Sequence, residues 1–210
     1  MISRSGFPVV VAAPSGTGKT TVCREVVARD PAIEFSVSHT TRPQRPKEKD
    51  GVDYHFVTPG EFERLAKAGA FLEWAVYNGN RYGTSWAALD EPLRQGRDLL
   101  LEIEVQGARQ VRERRADARF IFLLPPTLAA LRERLEQRGS DDPGAIATRL
   151  EIARREIDAG ASFDYAVVND RLETCVAEVL AILAAERSGD TAQLRARHAP
   201  GPAIAELLGP

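Results

Sequence analysis

The stretch Pro8-Val9-Val10-Val11-Ala12-Ala13-Pro14-Ser15-Gly16-Thr17-Gly18-Lys19-Thr20 runs from an unbroken apolar segment straight into a glycine-rich turn. An apolar run without alternation reads as a parallel strand covered on both faces. After the turn, Val22, Val26 and Val27 recur at helical spacing, and Pro31 ends the pattern. Strand, loop and helix thus frame Ala13 to Thr20, which is close to the pattern G-x-x-x-x-G-K-[ST]. The physics of that pattern is phosphate binding. Gly16 and Gly18 let the backbone turn so that successive N–H groups converge on phosphate oxygens. The following helix adds its unpaired N-terminal donors and positive dipole end. Lys19 can reach the β- and γ-phosphates, and Thr20 can offer a hydroxyl to Mg²⁺. Ala13 stands where the pattern has its first glycine, which requires that residue to keep a negative φ. The candidate nucleotide-phosphate loop is therefore Ala13, Pro14, Ser15, Gly16, Thr17, Gly18, Lys19 and Thr20.

Working outward, Leu99 to Glu104, Phe120 to Leu124 and Tyr165 to Asn169 also read as buried strands. Helical patterns lie between them: Leu128, Leu131 and Leu135 share one face, Ile146, Leu150 and Ile157 another, and Val176, Val179, Leu180 and Leu183 a third. Strands alternating with helices imply a parallel sheet with right-handed crossovers, an α/β fold. The stretch 38–86 departs from this, being rich in Tyr, Thr, Asn and Arg, and reads as an inserted subdomain. The arginine-rich segment 134–149, around Gly139-Ser140-Asp141-Asp142-Pro143-Gly144, has the composition of a mobile flap. Beyond residue 187 the chain turns Gly-, Pro- and Ala-rich without sustained periodicity. A flexible tail over 188–210 is the expectation, with Ile204, Leu207 and Leu208 as weak docking points.

The chain has 210 residues, enough for an α/β domain with a substantial core. Its 28 basic and 30 acidic residues nearly cancel, so no global charge draws it to nucleic acid or to an anionic membrane. No segment approaches the ~20 apolar residues of a membrane span, and no signal peptide is visible, so a cytoplasmic protein is expected. Cys23 and Cys175 lack metal-ligand spacing and read as small apolar residues of packed helices.

The phosphate loop alone leaves GTPase, ATPase and small-molecule kinase open. The inserted segment narrows the choice. It carries Ser36-Val37-Ser38-His39-Thr40-Thr41-Arg42-Pro43-Gln44-Arg45, Gly51-Val52-Asp53-Tyr54-His55-Phe56, Phe71-Leu72-Glu73-Trp74 and Asn78-Gly79-Asn80-Arg81-Tyr82-Gly83-Thr84. These motifs, followed by Asp164 to Asp170, resemble guanylate kinase from about Phe7 to Ala185. That resemblance implies a P-loop nucleoside-monophosphate kinase fold with a parallel five-stranded core sheet flanked by helices. It implies a guanylate-kinase-like domain over 1–187, with core segments 6–37, 87–133 and 155–187. A mixed α/β GMP-binding subdomain would span 38–86 and a helical lid 134–154. ATP and GMP are the implied partners, with Mg²⁺ as cofactor; monomer and homodimer both stay open.

Carried over from the family, Arg42, Arg45, Tyr54 and Tyr82 clamp the GMP phosphate. Guanidinium forks bind a dianion bidentately, and tyrosine hydroxyls donate without adding charge. The family pattern also assigns guanine recognition to Ser38, Glu73, Thr84 and Glu102. A carboxylate accepts from the N1–H and N2–H₂ of guanine but would face a bare acceptor on adenine. Arg134, Arg138 and Arg149 are implied on the ATP side and in transfer, together with Lys19 and Arg42. The family has Asp-Ile-Asp where this chain has Glu102-Ile103-Glu104, which puts each carboxylate one methylene further out. Glu104 either orients Mg²⁺ through water beside Thr20 or forms a salt bridge. Transfer between two phosphates needs no catalytic histidine, so His39, His55 and His198 read as structural or exposed. Two rivals share this frame: a non-catalytic interaction module, and a kinase of another small phosphate ester.

Overall fold

The opening apolar run forms β1 (Pro8–Ala12), every residue of which is buried. The loop after it hands the chain to α1 (Lys19–Arg29), whose inward face is Val22, Cys23 and Val26. The computed structural model describes residues 5–137 and 143–209, with only the backbone of 143–145. The chain divides into two compact units: Met1–Val10 with Pro31–Arg119, and Val11–Asp30 with Phe120–Pro210.

The first unit contains β2 (Ile33–Phe35), β3 (His39–Thr40), β4 (His55–Phe56), α2 (Pro59–Lys67), β5 (Phe71–Tyr77), β6 (Asn80–Ser85), α3 (Ala87–Arg94), β7 (Asp98–Glu102) and α4 (Val105–Arg114). Residues 39–85 build a sheet of their own in the order β4-β3-β6-β5. Its longest pairing, β5 with β6, is antiparallel and joined by Asn78-Gly79. Both turn residues have positive φ, 48° and 76°. A two-residue turn with that geometry matches the twist of a hairpin and fixes its register. The register pairs Tyr77 with Asn80 and holds unbroken as far as Glu73 opposite Thr84, the slip to Phe71 opposite Ser85 lying beyond it. Helix α2 starts on a Thr58 cap, whose hydroxyl accepts the Glu61 N–H at 3.2 Å, and buries Phe62 against the Phe71 ring at 4.6 Å.

β5 is an edge strand of this sheet, and α4 covers its open side with side chains. Gln110 mimics a neighbouring backbone: its carbonyl accepts from Trp74 N–H at 3.3 Å, and its amide donates to Trp74 O at 2.7 Å. One turn on, Arg114 donates to Phe71 O and Leu72 O at 3.2 and 2.6 Å. Edge groups left open would invite pairing with another chain.

The second unit contains β8 (Arg119–Leu124, its first residue belonging to the first unit), α5 (Leu128–Gln137), α6 (Pro143–Ala159), a short 3₁₀ turn (Gly160–Ser162), β9 (Tyr165–Val168), α7 (Leu172–Ser188), α8 (Ala192–Arg197) and α9 (Pro200–Leu208). Leu131 and Leu135 of α5 pack with Leu150 and Ala153 of α6. The core sheet has five strands in the order β2-β7-β1-β8-β9, with β2–β7 and β8–β9 parallel.

Two expectations need correction. The segment after residue 187, expected to be flexible, forms α8 and α9. His198 O accepts the Ala166 N–H at 2.8 Å, so the tail closes the outer edge of β9, and Ile204 is buried. Glu104, expected to end a strand, lies beyond β7 as the N-cap residue of α4. Burial of His198 fits the structural one of the two roles left open for it.

Candidate active site

In the second unit, the loop between β1 and α1 has the positive-φ glycines its sequence demands. Gly16 and Gly18 have φ of 91° and 93°, and Gly18 serves as the N-cap of α1. A Cβ on Gly18 would also meet Asn169 Nδ2 at 2.8 Å. Ala13 is buried, and Asn78 is the one non-glycine with positive φ among the described residues, so Ala13 keeps the negative φ that its methyl requires. Pro14 O accepts the Thr17 N–H at 3.2 Å, tightening the turn. Ser15 is half-buried, and Lys19 and Thr20 open α1 with Thr20 exposed.

Thr17 anchors the loop. Its carbonyl accepts from Asn169 Nδ2 at 2.7 Å and from Arg134 Nη1 at 3.4 Å, while Arg134 Nη2 donates to Asn169 O at 3.1 Å. These residues line a cleft of about 410 Å³ with Gly16, Gly18, Thr21, Gln137, Asp170 and Leu172. Arg134 therefore reaches the phosphate loop. Arg149 lies on α6 and is not in that lining. Arg138 lies outside the described residues. Asn169 is a residue whose role the sequence reading missed. Its place just past the end of an apolar strand was the available signal, because ligands of open α/β sheets sit beyond strand carboxyl ends.

In the first unit, Arg42, Tyr54 and Tyr82 come together. The Arg42 guanidinium lies over the Tyr54 ring at 5.3 Å and the Phe56 ring at 5.7 Å, and Tyr54 meets Tyr82 edge-on at 6.0 Å. A further residue, Glu48, holds this arginine. Its carboxylate takes both Arg42 Nη groups, at 3.0 and 2.7 Å, and the Arg45 N–H at 2.8 Å. The Arg42 hydrogen bonds keep the Glu48 carboxyl below the usual carboxylate range, and Glu48 and Tyr82 raise Arg42 further. Arg45 itself is exposed. Glu48 therefore occupies the fork in the way a phosphate would, an internal anion among cations.

The residues expected on the guanine side lie on or beside strands. Glu73 on β5 is 3% exposed, and its Oε1 accepts the Thr84 N–H at 2.9 Å. The Thr84 hydroxyl is buried without a hydrogen-bond partner, a group whose donor and acceptor capacity is unused. Ser38 precedes β3, and its carbonyl accepts the His55 N–H at 2.9 Å. Glu102 closes β7, half-buried, and Glu104 follows it. Among the described residues, no group of three or more His, Cys, Asp or Glu is arranged to hold a metal ion.

A glycine loop on the first strand of a parallel sheet, braced by an arginine and an asparagine, defines a P-loop nucleotide-binding protein. A family model described as guanylate kinase matches residues 5–186. The chain is 49% identical over 183 residues to the guanylate kinase of Symbiobacterium thermophilum, covering 87% of each. It is 48% identical over 185 residues to that of Syntrophotalea carbinolica, covering 88% of each. The crystal structure of guanylate kinase from Anaplasma phagocytophilum superimposes with a TM-score of 0.71 at 30% identity, over 96% of this chain and 94% of that one. The chain belongs to the guanylate kinase family. Helices α8 and α9 lie beyond the matched residues. No described helix is long and apolar enough to cross a membrane.

Proposed function

We propose that this protein transfers the γ-phosphoryl group of ATP to GMP, giving ADP and GDP. The observation that carries the acceptor is Glu73, a buried carboxylate fixed by the Thr84 N–H beside an unused threonine hydroxyl. That arrangement accepts from the N1–H and N2–H₂ of guanine and repels the N1 lone pair of adenine. Glu102 and Ser38 complete the base set, and Arg42, Arg45, Tyr54 and Tyr82 hold the GMP phosphate. On the donor side, backbone N–H groups from Ala13 to Thr20 and the Lys19 ammonium cradle the β- and γ-phosphates, with Arg134 bracing the loop.

A GMP phosphate oxygen attacks the γ-phosphorus in line as the bond to the ADP oxygen breaks. The acceptor is already an anion at neutral pH, so alignment and charge neutralisation carry the catalysis. Lys19, Arg42, Arg138 and Arg149 supply the protein's cations. Mg²⁺, bound with ATP, would neutralise the phosphate charge. Thr20, whose hydroxyl is exposed after the loop, would offer it one ligand, and the substrate phosphates would supply others. Exclusion of water requires the 38–86 segment and the 134–154 segment to close during turnover. A cytoplasmic location accords with a substrate pair drawn from the nucleotide pool.

The test is turnover. Protein given ATP, Mg²⁺ and, in turn, GMP, dGMP, AMP and ribose phosphates is expected to release ADP with the guanine nucleotides alone. Folded protein that leaves GMP untouched would sink the reading. Glu73→Gln is expected to cut GMP turnover by about 10²-fold or more while ATP binding persists.

A further inference from the structure

Helix α4 carries three residues at helical spacing, Gly107, Gln110 and Arg114, that all face β5. The last two hold the backbone of β5 on either side of Glu73. Gly107 faces Glu73 itself. A Cβ at position 107 would lie 2.2 Å from Glu73 Oε2 and 3.0 Å from its Cδ, far inside van der Waals distance. The opposite oxygen, Oε1, is tied to the Thr84 N–H, and the residue is buried. The carboxylate is thus bounded on one side by a hydrogen bond and on the other by a bare Cα.

We propose that Gly107 is a specificity-determining positioning residue, whose missing side chain fixes the Glu73 carboxylate where it reads the guanine edge. The inference rests on the GMP reading above. Gly107 has helical φ and lies within α4, where alanine is the better helix former. Local helix energetics therefore do not explain a glycine there, whereas the approach of Glu73 does. An added methyl has one inexpensive relief, which is to push the carboxylate off the Thr84 N–H. Helix and sheet survive, and the acceptor moves away from the base.

Three readouts test this. Steady-state turnover is measured with GMP and with IMP, which lacks the 2-amino group. G107A is expected to raise KM for GMP about tenfold or more and to shrink the preference for GMP over IMP. KM for ATP and the melting temperature should stay near wild type. Exchange of the Thr84 amide, read by NMR without any turnover, should speed up as its acceptor leaves. In the double variant E73D/G107A the carboxyl is one methylene shorter, which clears the new methyl. Its GMP preference should exceed that of G107A alone, a non-additive coupling. If G107A does not fold, E73D in the same chain should restore folding. The proposal is overturned by a G107A enzyme with unchanged KM for GMP, by unaltered Thr84 exchange, or by additive or unrescued double-variant behaviour. Wild-type protein inactive on GMP would instead fail the functional reading, and the Thr84 exchange result would still decide the geometry.

Discussion

At the scale of single residues, charge pairing and burial decide most of what a substitution does. Glu48 engages both arms of Arg42, so removing it frees a fork that must then be ordered by the incoming phosphate. Glu48→Ala is expected to raise KM for GMP by about tenfold with a smaller change in kcat and none in KM for ATP, as steady-state kinetics would show. His39 provides a pH signature of another kind. Burial, with the neighbouring His55, lowers its pKa from the usual 6.5, so the folded protein favours the neutral ring. The unfolded chain takes up its proton first as pH falls through 6.5, and stability declines from there down to the folded-state pKa. Thermal unfolding across that window should flatten in His39→Phe, and an unchanged slope would remove His39 from this role. Cys175, its thiol pushed up to about 12 by burial, should resist thiol reagents until the protein unfolds.

At the scale of elements, the hairpin turn and the helical brace govern where Glu73 points. Valine at position 79 must adopt a φ of 76°, a conformation that costs a β-branched residue about 1–2 kcal/mol or more. Gly79→Val should therefore lower the urea midpoint and GMP turnover together, because a one-residue slip of β5 turns Glu73 to the other face. Gln110→Ala should cost about 1 kcal/mol by the same measurement, since the Trp74 edge groups pass to water. These two elements also mark what could be read in advance. The β1–loop–α1 segment was legible because strand, glycines and helix spacing are all local signals. Asn78-Gly79 carried an equally local hairpin signal but was read only as a family mark. Gly107 against Glu73 was not legible at all: the residues are far apart in sequence and meet only when α4 packs on β5. Glu48 was hidden for a milder reason, since one carboxylate in a run of exposed charges looks like any other.

At the scale of the whole molecule, the C-terminal tail is the main departure from expectation. Its Pro- and Gly-rich composition suggested fraying, yet those residues punctuate a helix: proline in the first turn of α9 and Gly209, with φ of 71°, just past its end. The anchors were not visible in the sequence because they are tertiary. Arg195 pairs with Glu186 and lies over the Tyr165 ring at 5.4 Å, and Arg197 pairs with Glu178 at 3.0 Å. Deleting residues 189–210 would uncover the Ala166 N–H on β9 and the surface under Ile204. The shortened protein should keep GMP turnover at low temperature, because the family match ends at residue 186. It should melt several degrees lower, by about 2–4 °C per kcal/mol lost, and associate more readily by light scattering. A truncation with the full melting temperature would show that the tail contributes nothing to the fold.

Gly107 also sets a limit for protein engineering. A programme that seeks heat tolerance by exchanging helical glycines for alanine would choose this position early, for a nominal gain of about 1 kcal/mol. The product would pass screens for expression, solubility and melting, and would fail only when asked to tell one purine from another. Libraries built on this scaffold are therefore better sorted by nucleotide selectivity than by robustness, with position 107 held fixed.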